Sequence, residues 1–269
     1  MSTRLTYSWL VTDLDGTLVD RDLEIPVRNV EAIERYRAAG GTVVIATGRN
    51  EHSAARYHAQ LGLDTPLILY NGARITNLAT GNRLLDLTLG DAWPVIRDRS
   101  LPLLPATVGA VAFQDLDAYV VKPAPALTEY AGRDQIELKT SSPAGSPTKL
   151  MLIADSPGDL VEVADLITAV TGDVRLVRSE KTYLEVLPAN ADKGSALRTL
   201  AGLEGVHLDQ VASIGDNPND LELIQTAGLG AAVADAHPDL LRIADLVVAN
   251  CTDAAVADLI NHHLLLPHR

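Results

Sequence analysis

The sequence predicts an α/β fold, in which a doubly wound parallel sheet carries a smaller inserted α+β domain. Apolar runs rich in β-branched residues, at 42–46 and 66–70, alternate with stretches of helical spacing, as expected for parallel strands buried on both faces. Between 83 and 187 the apolar runs are instead joined by short polar turns, which indicates antiparallel hairpins. Because the first pattern returns after residue 192, the middle segment is predicted to be an insertion.

The N-terminal part alternates strands and helices, and each strand ends in polar or glycine residues. We expect strands at 9–11, 42–46 and 66–70, and helices at 27–39 and 51–61. The three strands run into Asp13-x-Asp15, Thr47-Gly48-Arg49 and Asn71-Gly72. Since the carboxyl ends of parallel strands share one sheet edge, these groups are expected to meet there.

The remaining elements are predicted from the same patterns. The inserted segment should contain hairpins at 110–122 and 174–187, a strand at 149–154 and a helix at 159–170. The C-terminal part should contain a helix at 192–203, a strand at 210–214 that ends in Gly215-Asp216, a helix from Pro218 to about 227, strands at 231–234 and 246–248, and helices at 238–243 and 253–264.

Composition indicates a folded protein with neither nucleic acid nor membrane as a partner. The chain has 269 residues, of which 47% are hydrophobic, enough for a substantial core. The formal net charge is −13, which disfavours binding to nucleic acid or to an anionic membrane. We find no signal-peptide pattern and no run near the roughly 20 apolar residues of a spanning helix. The single cysteine, Cys251, fits a reducing compartment, so we expect a cytoplasmic protein.

Two carboxylates, Asp13 and Asp15, stand one residue apart and directly before Gly16-Thr17. Carboxylates this close repel each other unless a cation or a shared proton compensates. The pair therefore suggests a Mg²⁺ site in which one aspartate also serves as a nucleophile. Asp and Gly are also common turn formers, so this stretch alone is equally consistent with a loop that has no chemical role.

Four motifs, taken in order, resemble those of the haloacid dehalogenase-like (HAD) hydrolase superfamily. They are Asp13-x-Asp15-Gly16-Thr17, Thr47-Gly48-Arg49, Lys193-Gly194 and Gly215-Asp216-x-x-Asn219-Asp220. The interval between the second and third motifs is far longer than one strand and one connection need, so the insertion follows the third strand. That arrangement resembles the superfamily's Cof-type phosphatases. It implies a Rossmann-like HAD core at 1–82 and 189–269 and a cap at 83–188 that selects the substrate.

The resemblance implies a phosphatase that acts through an aspartyl-phosphate intermediate. Asp13 would be the nucleophile, and Asp15 would act as acid and base. Mg²⁺ would be bound by the side chains of Asp13 and Asp216 and the main-chain carbonyl of Asp15. Thr47 and Lys193 would hold the phosphate and offset its charge. Asn219 and Asp220 would support the metal from a second layer, and further phosphate or substrate contacts are expected from Leu14, Gly16, Gly48, Arg49, Asn71, Gly72 and Asn219.

The sequence leaves the roles of some predicted site residues open. Arg49 could contact the substrate or the cap, or could simply pair with an acid, and Asn71-Gly72 is also an ordinary turn sequence. Asn217 stands where the family usually has glycine, which weakens inference about the substrate. The partner should be a small phosphorylated metabolite, such as a sugar phosphate, a phosphorylated acid or a phosphorylated cofactor. The alternatives are a phosphotransferase or phosphomutase that uses the same intermediate, and a phospho-accepting signalling module without turnover.

Overall fold

The structure is a computed structural model that describes residues 3–20, 22–134 and 136–267. These residues form two compact units. The first combines the described residues up to Leu85 with those from Asp192 onwards, and the second is Asp86–Ala191.

The strands, numbered in chain order, are β1 (Thr3–Leu5), β2 (Trp9–Thr12), β3 (Thr42–Ile45), β4 (Leu67–Leu69), β5 (Arg74–Thr76), β6 (Arg83–Asp86), β7 (Val108–Gln114), β8 (Asp117–Lys122), β9 (Leu138–Lys139), β10 (Lys149–Ala154), β11 (Val174–Glu180), β12 (Tyr183–Pro188), β13 (Val211–Gly215), β14 (Leu229–Val233), β15 (Leu246–Val248) and β16 (Leu265–Pro267). The α-helices are α1 (Val27–Ala38), α2 (Glu51–Gln60), α3 (Ala92–Val95), α4 (Ala126–Asp134), α5 (Asp159–Val170), α6 (Lys193–Glu204), α7 (Leu221–Thr226), α8 (Pro238–Ile243) and α9 (Ala255–Leu259).

The first unit is built on a parallel sheet in the order β15-β14-β13-β2-β3. The β2 strand is buried along its whole length, as its continuous apolar sequence predicts. The chain runs from β2 to β3 on one side, whereas β13 and the strands after it lie on the other side. The strand order therefore reverses at β2, and a sheet of this kind binds its ligands in the crevice at such a point. Asp13 is the first residue after β2.

The third predicted strand, at 66–70, differs from expectation. Only Leu67–Leu69 is extended, and this β4 strand pairs antiparallel with β5 in a small three-stranded sheet with β6. It joins the parallel sheet through one bridge between Ala46 and Ile68 and through a 2.9 Å hydrogen bond from the Thr47 amide to the Ile68 carbonyl. The strand stops early because Tyr70 and Asn71 adopt positive φ angles, which break the extended conformation.

The second unit contains a six-stranded sheet in the order β11-β12-β10-β7-β8-β9. All of its pairings are antiparallel except β8 with β9, so the predicted hairpins are present. Buried residues of β7, β10 and β12 pack against α3 and α5 to form the core of this unit. Helix α4 was not predicted, although its buried residues Leu127 and Tyr130 stand three positions apart, as on one face of a helix.

Elements near the two chain ends also differ from the prediction. Strands β1 and β16 pair antiparallel, although neither was expected. The helix predicted at 253–264 is interrupted: a 3₁₀ turn covers Cys251–Asp253, Ala254 has a left-handed conformation, and α9 continues into a π-helical turn at Ile260–Leu264. Within the described ranges, every helix is too short or too polar to cross a bilayer.

Candidate active site

Asp13 lies at the carboxyl end of β2 and is almost completely buried. Its exposure is 5%, and its amide donates to the carbonyl of Ile214 in the neighbouring strand β13 at 2.9 Å. Gly16, three residues on, has a φ of 80°. A Cβ atom at Gly16 would lie 2.5 Å from the Oδ2 atom of Asp216. Glycine is therefore required here for the loop after β2 to approach the loop after β13.

Lys193 connects the acids of the site. Asp192 caps helix α6, since its carboxylate accepts from the Ser195 amide at 2.7 Å, and Lys193 is the first residue of that helix. The Lys193 side chain has 0% exposure, and its Nζ atom donates to Oδ1 of Asp13 at 2.5 Å and to Oδ1 of Asp220 at 2.6 Å. Because both hydrogen bonds join opposite charges away from water, they are expected to be strong.

Gly194 allows helix α6 to reach this position. A Cβ atom at Gly194 would lie 2.3 Å from the carbonyl oxygen of Glu222, in helix α7. The Lys193-Gly194 pair thus combines a buried charge with the small residue that lets the two helices pack closely.

Three carboxylates form what we call the acidic cluster, which consists of Asp13, Asp216 and Asp220. One oxygen from each lies within 4.8 Å of the other two. Asp220 is held by its own loop, because its Oδ2 atom accepts from the amides of Asp216 at 3.0 Å and Asn217 at 3.2 Å. The Asn217 side chain donates to Oδ2 of Asp216 at 2.7 Å, so the residue that departs from the family pattern lies beside the cluster.

Two acids of the acidic cluster, Asp13 and Asp216, have pKa values that are raised by burial and by neighbouring negative charge. Burial, reinforced by the charge of Asp220, raises the pKa of Asp13 to about 7. Burial, reinforced by Asp13 and Asp220, raises the pKa of Asp216 to about 9. Burial by itself would lower the pKa of Lys193, but Asp13 and Asp220 raise it above its usual value, so the ammonium stays charged. One ammonium cannot balance three carboxylates, and the cluster therefore favours either protons or a second cation.

The donor set of the acidic cluster fits a hard divalent cation. Carboxylate oxygens are the ligands that Mg²⁺ prefers, and Mg²⁺ is commonly held by one or two carboxylates. Asp13 and Asp216 were predicted as ligands and lie together. Asp220 was predicted to act from a second layer, and the structure places one of its oxygens within the same group.

Asp15 lies apart from the acidic cluster. Its side chain, 48% exposed, forms a two-pronged ion pair with Arg49, in which Nε donates to Oδ2 at 2.8 Å and Nη2 donates to Oδ1 at 2.5 Å. Of the alternatives that the sequence left open for Arg49, the structure shows pairing with an acid. The Arg49 guanidinium also lies 5.2 Å from the centre of the Tyr57 ring.

Thr47 and Gly48 lie at the edge where β3 ends. Thr47 is 1% exposed, and its Oγ1 atom accepts from the Arg49 amide at 3.2 Å. A Cβ atom at Gly48 would lie 3.0 Å from Nδ2 of Asn71, so the lack of a side chain at Gly48 leaves room for the Asn71 amide. Leu14, whose amide was predicted to bind phosphate, is buried between Asp13 and Asp15.

Asn71, Gly72 and Asn219 also come together. The Nδ2 atom of Asn219 donates to Oδ1 of Asn71 at 3.0 Å, which links the loop after β13 to the turn after β4. A Cβ atom at Gly72 would lie 2.1 Å from the carbonyl oxygen of Asp192, so only glycine permits this turn to touch the start of α6. The turn thus lies against the loops that carry the other motifs.

Sequence reasoning missed a buried charged pair beside these residues. Arg74 and Glu51 are 1% and 6% exposed, and Nη1 of Arg74 donates to Oε1 of Glu51 at 2.9 Å. A signal was present, because Arg74 interrupts an apolar stretch between Ala73 and Ile75, where a charge requires a buried partner.

Comparison with known proteins gives full-length matches. A sequence profile of the haloacid dehalogenase-like hydrolases matches residues 10–260. The chain is 32% identical over 276 residues to YxeH of Bacillus subtilis, which is provisionally named a phosphatase, and the alignment covers 97% of this chain and 99% of that protein. It is 30% identical over 266 residues to the HMP-PP phosphatase of Citrobacter koseri, with 95% of each chain covered.

Solved structures share the whole architecture. TM0651 from Thermotoga maritima is 28% identical, with a TM-score of 0.82 over 98% of this chain and 99% of that one. A haloacid dehalogenase-like hydrolase from Bacteroides thetaiotaomicron is 25% identical, with a TM-score of 0.83 over 95% of this chain and 98% of that one. These likenesses confirm the predicted fold class, a parallel-sheet core with a smaller α+β insertion.

Proposed function

This chain belongs to the haloacid dehalogenase-like hydrolases and to a phosphatase family among them, as its motifs predicted, and we propose that it is a Mg²⁺-dependent phosphatase of small phosphorylated metabolites. The observation that carries the proposal is the buried lysine, Lys193, between Asp13 and Asp220, with Asp216 alongside. A phosphate monoester is a dianion and repels an anionic nucleophile, so a site that transfers phosphoryl groups must concentrate positive charge.

The Mg²⁺ ion would be held by Asp13 and Asp216, with the main-chain carbonyl of Asp15 as a third protein ligand. Asp220 and Asn219 would support the ion and orient Lys193. When bound, the ion supplies positive charge that offsets the phosphate and its developing negative charge. Asn217 donates to the Asp216 carboxylate and would restrict its orientation.

Asp13 would act as the nucleophile. One of its carboxylate oxygens attacks phosphorus in line, the bond from phosphorus to the ester oxygen breaks, and an aspartyl-phosphate forms. Asp15 donates a proton to the departing alkoxide and then removes a proton from the water that attacks the aspartyl-phosphate. Phosphate leaves, and Asp13 is regenerated. Arg49 donates one hydrogen bond to each oxygen of Asp15 in the structure, which leaves a second lone pair on each oxygen for a proton.

The phosphate would be cradled by groups on three loops. Thr47 and Lys193 donate from side chains, and the amides near Leu14, Gly16 and Gly48 provide a concave set of backbone donors. Asn71, Gly72 and Asn219 would shape the side of the site next to Gly48, because Asn71 lies against Gly48 and accepts from Asn219. Arg49 is a candidate contact for the substrate once it leaves Asp15.

The substrate class is a phosphate monoester of a small metabolite, such as a sugar phosphate, a phosphorylated acid or a phosphorylated cofactor. The HMP-PP phosphatase of Citrobacter koseri, a relative of full length, supports a small phosphorylated compound as the substrate. The inserted segment, predicted at 83–188, would act as the cap that selects among such compounds.

The proposal is tested by measuring phosphate release from p-nitrophenyl phosphate and from a set of phosphorylated metabolites, with Mg²⁺ present. We expect turnover with the aryl ester and a strong preference for one class of metabolite. An added alcohol distinguishes hydrolysis from transfer, because a phosphotransferase would form the phosphorylated alcohol at the expense of free phosphate. Stable labelling of Asp13 without release of phosphate would instead indicate a signalling module and would contradict the proposal.

Addition of Mg²⁺ should raise the thermal unfolding temperature, and more at pH 9 than at pH 6. Without metal, Asp13 and Asp216 bind more protons in the folded protein than in the unfolded chain between about pH 4 and pH 9, because the pKa of Asp13 is raised to about 7 and that of Asp216 to about 9. In the absence of metal, the contribution of these two groups to the free energy of unfolding therefore falls as the pH rises. Mg²⁺ competes with those protons, so its stabilising effect grows across the same range.

Thermal shift with Mg²⁺, with and without a chelator, measures this effect. The variant Asp216→Asn should lose most of the shift, whereas Asp64→Asn, which removes an exposed carboxylate elsewhere in the first unit, should keep it. An equal shift in both variants would rule out the acidic cluster as the metal site.

The variant Asp15→Asn should release phosphate on the order of 10²- to 10⁴-fold more slowly than the wild type, the range for loss of a general acid or base. Because Asp13 remains, p-nitrophenyl phosphate, whose leaving group needs little protonation, should still phosphorylate the enzyme. We expect the aspartyl-phosphate to accumulate and to be visible by intact-protein mass spectrometry after an acid quench. Normal turnover in this variant would remove Asp15 from the acid–base role.

A further inference from the structure

The buried pair of Glu51 and Arg74 takes part in none of the steps proposed above, although it lies next to the site. The Glu51 carboxylate is bonded at both oxygens. Oε1 accepts from Nη1 of Arg74 at 2.9 Å and from Oγ1 of Thr76 at 3.4 Å, and Oε2 accepts from the hydroxyl of Tyr70 at 2.9 Å. Burial of charges is costly, and in some proteins buried ionic groups fix a particular geometry.

The turn after β4, Tyr70–Gly72, has an unusual backbone. Tyr70, Asn71 and Gly72 have φ angles of 51°, 54° and 97°. This conformation is unfavourable for residues with a side chain, so Tyr70 and Asn71 need contacts that hold them there. Glu51 provides them, because its carboxylate binds Tyr70 at the start of the turn and Arg74 just after its end. One side chain therefore fixes both ends.

This turn contacts three of the segments that carry the proposed phosphate-binding groups. The Asn71 amide donates to the Thr47 carbonyl at 3.0 Å, and the Asn71 side chain accepts from Asn219. The Gly72 backbone lies against the Asp192 carbonyl at the start of helix α6, directly before Lys193. A shift of the turn would therefore be transmitted to three of the four motifs.

We infer that Glu51, Tyr70 and Arg74 form a positioning network that fixes the turn and, through it, the spacing of Thr47, Lys193 and Asn219. The inference rests on the proposed function, because it assumes that those loops hold the phosphate. The network residues do not touch the reacting atoms. They act through Asn71 and Gly72, and a displacement of about 1 Å in a catalytic arrangement can lower the rate on the order of 10²-fold.

The decisive variant is Tyr70→Phe, because it removes one hydroxyl and leaves the ring and the Glu51–Arg74 pair in place. The matched control is Tyr36→Phe. Tyr36 is also fully buried, and its hydroxyl donates to the Tyr7 carbonyl at 2.8 Å, but its ring packs beside Gly41, at the end of the sheet opposite the active site. Both variants lose one buried hydrogen bond, so both should unfold at slightly lower temperature.

We expect kcat for p-nitrophenyl phosphate with Mg²⁺ to fall about 10-fold or more in Tyr70→Phe and to stay within about twofold of wild type in Tyr36→Phe. The Mg²⁺-induced thermal shift should be kept in both variants, because the acidic cluster is unchanged. Glu51→Gln provides a second perturbation of the network and should lower kcat at least as far. Values of kcat within twofold of wild type in both network variants would reduce the network to a purely structural role and overturn the inference.

Amide hydrogen exchange gives a readout that does not depend on turnover. If the network holds the turn, Tyr70→Phe and Glu51→Gln should speed exchange in peptides that cover residues 67–76 and 189–197, and Tyr36→Phe should not. Unchanged exchange in those peptides would overturn the inference whatever the activity. Absence of turnover in the wild-type enzyme would contradict the proposed function. The hydrogen-exchange result would then test by itself whether the network holds the turn.

Discussion

The variant Asp13→Asn is expected to release phosphate from p-nitrophenyl phosphate on the order of 10⁶-fold more slowly than the wild type, which is the scale for loss of a catalytic nucleophile. Asparagine has nearly the same shape as aspartate, but its amide cannot form the acyl-phosphate. The variant should also show no phosphorylated protein under the conditions in which Asp15→Asn accumulates it. Phosphate release at the wild-type rate would mean that the nucleophile lies elsewhere.

This loss should not come from unfolding. Asp13 is buried, and its raised pKa means that the ionised carboxylate is disfavoured in the metal-free fold. Removal of that charge relieves repulsion from Asp216 and Asp220, although it also weakens the contact with Lys193. We therefore expect the free energy of unfolding at pH 8 without metal to change little, and the Mg²⁺-induced shift to shrink. Asp64→Asn serves as the control for the loss of an exposed carboxylate.

The sequence alone was sufficient to predict the five strands of the parallel sheet and the edge at which their polar ends meet. Asp13 and Asp216 could be predicted at this edge because an apolar run followed by a polar group is a local pattern, and parallel strands bring such groups to one edge regardless of side-chain detail. Lys193 opens a helix, and only the resemblance to the haloacid dehalogenase-like hydrolases pointed to it. The same reasoning predicted the hairpins of the inserted unit, since strand periodicity and short polar turns are also local signals.

Contacts between side chains from distant segments of the chain could not be predicted from such local patterns. The pairing of Asp15 with Arg49 was one of several possibilities, and the position of Asp220 within the acidic cluster depends on the fold of its own loop. Asn71-Gly72 is a turn sequence, but the left-handed conformation of Tyr70 was not predicted, because tyrosine does not require a positive φ and ends the strand predicted at 66–70. The conformation of this turn is held by contacts with Glu51, Thr47 and Asn219, which lie in other segments of the chain.

The variant Lys193→Met should destabilise the protein and abolish turnover. Lys193 has 0% exposure and contacts two acids, so its loss leaves Asp13 and Asp220 buried without their ammonium partner. Removal of one partner from a buried ion pair costs about 3–5 kcal/mol of unfolding free energy. Turnover should fall on the order of 10³-fold even where the variant is folded, because loss of a preorganised charge at the reacting group has costs of that size.

The pH dependence of this destabilisation separates electrostatics from packing. Near pH 5 the raised pKa values of Asp13 and Asp216 keep these two acids protonated, so the variant buries less charge without a partner than it does at high pH. At pH 8 to 9 the remaining carboxylates repel each other. Chemical denaturation of Lys193→Met without metal should therefore show a small loss of stability near pH 5 and a large one near pH 9, and added Mg²⁺ should restore part of it.

The matched control is Lys122→Met in the inserted unit, because Lys122 donates to two backbone carbonyls, of Pro105 and Val108, rather than to the acidic cluster. Its loss of stability should change little between pH 5 and pH 9, and phosphate release should be kept. If Lys193→Met loses the same free energy of unfolding at both pH values, the lysine contributes to stability mainly by packing. The strong pH dependence that we expect would instead follow from the charge of Lys193, because the ammonium offsets the negative charge of the two acids that it contacts.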